Sequence, residues 1–398
     1  MSDDTHSRLE LLEQNKMLIH ELFQLEQDGH KDARELYHDE IAGFFIRTDD
    51  GSYTLTSDKR DSHDCETLHS KYGAFSEAYE KFVKPSNLLE IANNKKSIRV
   101  LDICSGIGYN VTALLTYLKD EDVEIEIDMV ESSIETLATV LFIPDVSKAY
   151  GYVKKEIESY LIEHGYLTFN KVLSNVPSNI HINIHVCDAR EFIKNEASGK
   201  YDAVFLDPFS PSKSPELYTV DFFSKIKEFL EEYALILTYT AASPVRSALV
   251  HAGYQIGQGP SFHRSGGTIA SLSEDMITTP LTFSDEKVIA LSDVGVPYID
   301  PELNDDYETI INRRQSTRKK IRGITVFPSS SKLPRYLGLD PETIEDEHLR
   351  DKLNSYVIKM GFESINDYRI HDILNIDSNL SSRNQILALE ENLHRILG

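Results

Sequence analysis

Four carboxylates and two glycines sit where they can do chemistry. Asp102, Gly106 and Gly108 lie where the apolar run 98–103 breaks into an amphipathic stretch carrying Val111, Leu114, Leu115 and Leu118. A strand that enters a helix through glycines brings backbone N–H groups close to a ligand, because glycine tolerates positive φ and has no side chain in the way. A dinucleotide site seats a pyrophosphate on the helix N-terminus and uses G-x-G-x-x-G. The spacing Asp102, Gly106, Gly108, with Ser105 and Asn110 beside it, suits S-adenosylmethionine (SAM) better: there is no phosphate to repel, and Asp102 can hold the methionine ammonium group.

The other acids recur at the ends of successive apolar segments. Residues 125–131 alternate as a strand and end in Glu131, which lies 29 residues after Asp102 and suits two ribose hydroxyls. Residues 182–186 read as a strand before Asp188-Ala189-Arg190, where Asp188 can accept from an adenine amino group. Residues 201–206 run into Asp207-Pro208-Phe209-Ser210-Pro211. Any one of these acids can instead be a helix N-cap. Four in register at the C-terminal ends of strands are placed where open α/β sheets bind ligands.

The elements that must position them form an α/β core over 96–273, with an insertion at 144–179 that is rich in helix formers over 153–161. A fifth strand is expected at 235–239, a helix at 244–252, and a closing strand pair at 254–258 and 268–271. Before the core, 9–45 is patterned for one or two amphipathic helices and 49–57 for a short hairpin. The expected organisation is a helical extension 1–45, a hairpin and covering segment 46–95, a SAM-dependent core 96–280, a segment 281–337 with a basic run, and an acidic helical tail 338–398.

Composition sets outer bounds. No apolar run reaches membrane-spanning length, and three scattered cysteines make no zinc knuckle, so a reduced cytoplasm, no membrane and no metal are expected. A formal net charge of −24 argues against a protein that coats nucleic acid generally, though binding needs only a local basic patch. Such a patch exists in 313–322, where six of ten residues are basic, among them Arg314, Arg318, Lys319 and Lys320. Phosphate contact and an exposed helix paired to nearby acids are equal readings of it. The C-terminal region holds no second Gly-rich strand–turn–helix, so no FAD oxidase domain is expected.

Longer motifs resemble the methyltransferase domain of MnmC, the tRNA wobble-uridine modification enzyme, especially its relatives without the oxidase half. They are His69-Ser70-x-x-Gly73-Ala74-x-x-Glu77, the 105–110 loop, Val130-Glu131, Asp188-Ala189-Arg190, the segment 202–219 around Asp207-Pro208-Phe209, and Thr238-Tyr239-Thr240-Ala241-Ala242-x-x-Val245-Arg246. Cys104 departs from the pattern, standing where many SAM loops have a glycine, and the turn is expected to form there without positive φ.

The resemblance implies a class I SAM-dependent methyltransferase fold: a Rossmann-like, mostly parallel doubly wound sheet with helical additions at both ends. It implies methyl transfer from SAM to the exocyclic amine of 5-aminomethyl(-2-thio)uridine in the tRNA anticodon stem-loop. By position, Asp207 orients the amine or accepts its proton, and Phe209 and Pro208 wall the pocket. Tyr72 and Glu77 close over the methionine end, and Lys213 and Arg246 join the substrate side. The rivals are an aminopropyltransferase of the spermidine-synthase type and a non-catalytic SAM-binding RNA-interaction protein. The oligomeric state stays open, monomer included.

Overall fold

A computed structural model of the chain describes residues 13–55, 72–263 and 266–397; Cys65, His69 and Ser70 lie outside them. The first strands, β1 (Phe45–Arg47) and β2 (Tyr53–Leu55), form an antiparallel hairpin that begins before the stretch 49–57 read as one from the sequence. The main sheet has seven strands: β3 (Ser97–Ile103), β4 (Glu124–Glu131), β5 (Ile180–Val186), β6 (Tyr201–Leu206), β7 (Leu230–Thr238), β8 (Gln255–Gln258) and β9 (Thr268–Ser271). Their spatial order is β5-β4-β3-β6-β7-β9-β8. The pairs from β5 through β7 are parallel, and β8 pairs antiparallel with β9.

Register explains why the acids converge. Ile103 at the end of β3 pairs with Val130 of β4 on one side and Leu206 of β6 on the other. Asp102, Glu131 and Asp207 therefore fall within a residue of one aligned edge. The chain leaves β3 toward β4 on one side and returns as β6 on the other, so this edge is the topological switch point where open α/β sheets bind ligands. β6 is buried along its whole length and β3 from Val100 onward, as expected of parallel strands covered on both faces. β7 starts at Leu230, earlier than the apolar pattern at 235–239 suggests, because its first half carries Glu231 and Glu232 at partly exposed positions.

The chain divides into two compact units. The first comprises residues 1–209, 229–239 and 260–265 and holds β1 to β7. Its N-terminal helices, Glu13–Gln27 and Ala33–Ala42, realise the amphipathic pattern of 9–45. They are tied to the 144–179 insertion by Arg34, whose buried guanidinium pairs with Glu26 at 2.6 Å and with Glu158 at 2.5 Å. Glu158 lies on the insertion helix Lys148–Glu163. The second unit comprises 210–228, 240–259 and 266–398. It holds the helices Ser243–His251, Phe283–Leu291 and Tyr307–Ile321, followed by Glu347–Lys359, Tyr368–Leu374 and Ser382–Leu397.

Candidate active site

The turn after β3 is built from backbone. The N–H groups of Cys104 and Ser105 donate to the Val130 carbonyl at 2.9 and 3.2 Å, and Gly108 N–H donates to the Ser105 carbonyl at 2.8 Å. Gly106 and Gly108 take φ of 52° and 79°. A Cβ at Gly108 would lie 2.7 Å from Val153 Cγ1, so glycine is required there for space as well as conformation. Cys104 corrects the sequence reading: its φ is 61°, so the turn does use the left-handed region, at a non-glycine residue. That conformation costs about 1–2 kcal/mol, and both of its neighbours along the turn are anchored to β4.

Glu131 braces this loop. One carboxylate oxygen accepts from Gly106 N–H at 3.0 Å, and the other accepts from Ser132 and Ser133 N–H at 2.9 and 3.0 Å. Asn110, at the start of the helix Tyr109–Tyr117, donates to Asp102 Oδ1 at 3.2 Å and to Asp207 Oδ2 at 3.4 Å. Asp102 is fully buried, and its Oδ2 has no hydrogen-bond partner among the described residues. Burial pushes its pKa up to about 7. Asp207 is held by its N–H, which donates to the Ile103 carbonyl at 3.1 Å. Burial, then the charges of Glu77 and Asp102, raise the Asp207 pKa well above the carboxylate range. Burial raises Glu131 as well.

The charge of Lys81 opposes this build-up at Asp207. Lys81 is buried, pairs with Glu77, and places its ammonium 5.7 Å from the centre of the Tyr239 ring. It sits in the π-helical turn Tyr79–Val83, an insertion geometry frequent at functional sites. Sequence reasoning missed it, although a Glu77/Lys81 pair at i,i+4 was there to be read. The helix carrying Glu77, Ala74–Ala78, is anchored to the hairpin: Asp50 Oδ2 accepts from Ser76 N–H at 2.8 Å, and Ser52 Oγ accepts from Ala74 N–H at 2.9 Å.

The remaining expected residues are more dispersed. Tyr72 is partly exposed and stacks on His263 with ring centres 4.1 Å apart. Asp188 caps the helix Ala189–Asn195 by accepting from Arg190 N–H at 2.8 Å and pairs with the Arg190 guanidinium at 2.8 Å, so the capping alternative is realised there. Ala189 is buried in the first turn of that helix. Pro208 is buried and Phe209 half-buried just past Asp207.

In the second unit, Lys213 lies in a tight turn closed by its own N–H to the Ser210 carbonyl at 2.7 Å. Arg246 is buried and donates to Thr268 Oγ1 at 3.0 Å and to the Gly267 carbonyl at 3.2 Å. Its guanidinium is a strut of the fold. The helix Tyr307–Ile321 resolves the two readings of the basic run residue by residue. Arg314 donates to the carbonyls of Val296 and Val294 and covers the Tyr298 ring, while Arg318 pairs with buried Asp293 at 2.6 Å. Lys319 and Lys320 are exposed.

Residues 151–273 match the family described as S-adenosyl-L-methionine-dependent methyltransferase. An uncharacterized protein of Methanocaldococcus jannaschii is 36% identical over 323 residues, covering 79% of this chain and 84% of that protein. The crystal structure of MnmC2 from Aquifex aeolicus aligns with a TM-score of 0.57 at 28% identity, covering 77% of this chain and 99% of that one. The chain belongs to the MnmC-like family of SAM-dependent methyltransferases. Its fold is class I and its cofactor is SAM. The bifunctional MnmC of Leptospira borgpetersenii, named for tRNA 5-methylaminomethyl-2-thiouridine biosynthesis, is 35% identical over 83 residues, which are 21% of this chain and 13% of that protein. Among the described residues no helix is long and apolar enough to cross a membrane.

The site of this MnmC-like chain fits SAM on its own geometry. SAM is cationic at its ammonium and sulfonium, and the edge of the sheet gathers carboxylates whose pKa values are raised chiefly by burial. The unpartnered Asp102 Oδ2 is an acceptor for an ammonium, and the glycine turn leaves its backbone open to close approach. When bound, the cofactor supplies an electrophilic methyl group on a positively charged sulfur.

Proposed function

We propose that this chain methylates the exocyclic amine of 5-aminomethyl(-2-thio)uridine at the tRNA wobble position, giving 5-methylaminomethyluridine. The observation that carries the reading is Asp207, a carboxylate of raised pKa at the switch point, followed directly by the buried Pro208 and by Phe209. An alkylamine titrates near 10 and attacks only when neutral. Asp207 attracts its ammonium form. Asp207, more basic than an ordinary carboxylate, takes the proton. Asn110 keeps Asp207 oriented, and Phe209 offers a face on which a flipped base stacks. Transfer then depends on positioning of the neutral nitrogen. The name of the MnmC relative, for tRNA 5-methylaminomethyl-2-thiouridine biosynthesis, points to the same substrate class. Since Arg314 and Arg318 are engaged inside the fold, Lys319 and Lys320 are the residues of the basic run proposed to meet tRNA phosphates.

The test is nucleoside mass spectrometry of tRNA bearing 5-aminomethyluridine after incubation with enzyme and SAM carrying a deuterated methyl group. Gain of one labelled methyl on that nucleoside is expected. Label only on another nucleoside, or transfer only to a polyamine from decarboxylated SAM, would overturn the reading.

A further inference from the structure

The second unit contains a cavity of about 690 Å³, within the range of small-molecule sites, that the proposed methyl transfer does not use. It is lined by β8, by the helix Phe283–Leu291, and by the start of the helix Ser382–Leu397 with the segment before it, so the C-terminal tail supplies one wall. Glu286 lines it and is 1% exposed, yet its Oε2 has no hydrogen-bond partner among the described residues. Gln255 also lines it, and its Oε1 is likewise buried and unpartnered.

Both groups are acceptors, and one of them is acidic. The neighbouring cation does not serve them: Lys287 donates to the carbonyls of Arg335 and Leu337 at 3.1 and 3.0 Å. Ser382, which also lines the cavity, accepts from Leu281 N–H at 2.8 Å, and its hydroxyl hydrogen-bonds to Glu286, offsetting only part of the effect of burial there. A buried carboxylate with neither cation nor full hydrogen bonding is unfavourable. A cationic donor placed there recovers that cost. The rest of the wall states what the donor must carry. Ile256, Leu281 and Leu380 give it apolar surface, and Glu274, exposed to solvent, gives it a second carboxylate. Among the described residues no lysine or arginine lines it.

We infer that this cavity binds an aliphatic di- or polyamine, with one ammonium on Glu286 and Gln255 Oε1, methylenes along the apolar wall, and a further ammonium answering Glu274. The net charge of −24 raises the local concentration of such cations around the whole chain. The site thereby gives the tail a purpose that lies outside the methyl-transfer edge of the sheet.

The test is calorimetric titration of the full-length protein with spermidine at physiological salt, SAM affinity serving as the check on folding. One-site binding is expected, weakened at least about tenfold in Glu286→Gln and unchanged in Asp207→Ala. Leu380→Trp, which fills the cavity without removing charge, is expected to abolish it. Absence of binding to wild type, equal binding in Glu286→Gln and Leu380→Trp, or loss in Asp207→Ala alone would overturn the inference, the last by placing the amine at the methyl-transfer site.

Discussion

At the scale of single residues, the site is a balance of unlike charges inside a small volume. Lys81 is a nearby positive group whose charge lowers the Asp207 pKa. Replacing it with methionine, Lys81→Met, removes that effect together with the ion pair to Glu77, and both changes raise the Asp207 pKa. The base form then appears at higher pH. The acidic limb of the single-turnover rate profile is expected to move upward in pH, slowing transfer roughly several-fold at neutrality; an unmoved limb would show that Asp207 is not the titrating base. Asp102 makes a complementary prediction. Its carboxyl is raised from 3.8 to about 7, so the folded protein binds more protons than the unfolded chain in that window. The ligand-free protein is expected to lose stability as pH rises from about 4 to about 7, and Asp102→Asn to remove part of that slope in urea midpoints.

At the scale of elements, the strand–turn–helix was legible because its apolar run, glycines and amphipathic stretch are contiguous in sequence. What could not be read is what distant residues supply. Cys104 takes positive φ because β4 backbone fixes the turn around it, a constraint that no local pattern displays. For Arg314 and Arg318 phosphate contact and pairing within the fold are equal readings in the sequence, since charge is visible there and their partners at Val294, Val296 and Asp293 are not. Lys81 escaped notice for the same reason: its burial comes from packing. Two substitutions follow. Cys104→Val places a β-branched residue at φ 61° and is expected to lower stability by about 2 kcal/mol, while Cys104→Gly stays within about 1 kcal/mol of wild type; denaturant titration separates them. Gly73 has φ 153°, and a Cβ there would lie 2.2 Å from Asp50 Oδ2. Gly73→Ala is therefore expected to detach the Glu77 helix from the hairpin and weaken SAM binding about tenfold or more, with the sheet still folded by circular dichroism.

At the scale of the whole molecule, a strongly acidic chain that is proposed to act on tRNA must concentrate its phosphate contacts. Among the basic run, the exposed pair Lys319 and Lys320 carries that expectation. Each phosphate contact contributes about 0.9 to the slope of log affinity against log salt. The double variant Lys319→Ala/Lys320→Ala is expected to lower the slope for tRNA by about 2 while leaving SAM affinity unchanged. The composition of the chain argued only against general nucleic-acid coating. The family relationship, the switch-point acids and the exposed lysines together make the narrower case.

The most direct test of the account is single-turnover transfer to tRNA bearing 5-aminomethyluridine at saturating SAM, comparing wild type with Asp207→Ala, with SAM affinity measured by calorimetry on both. The account predicts a rate reduced by about 10²–10⁴-fold with SAM affinity within a few-fold. A collapse of SAM binding with transfer surviving at saturation would contradict it and make Asp207 a cofactor ligand.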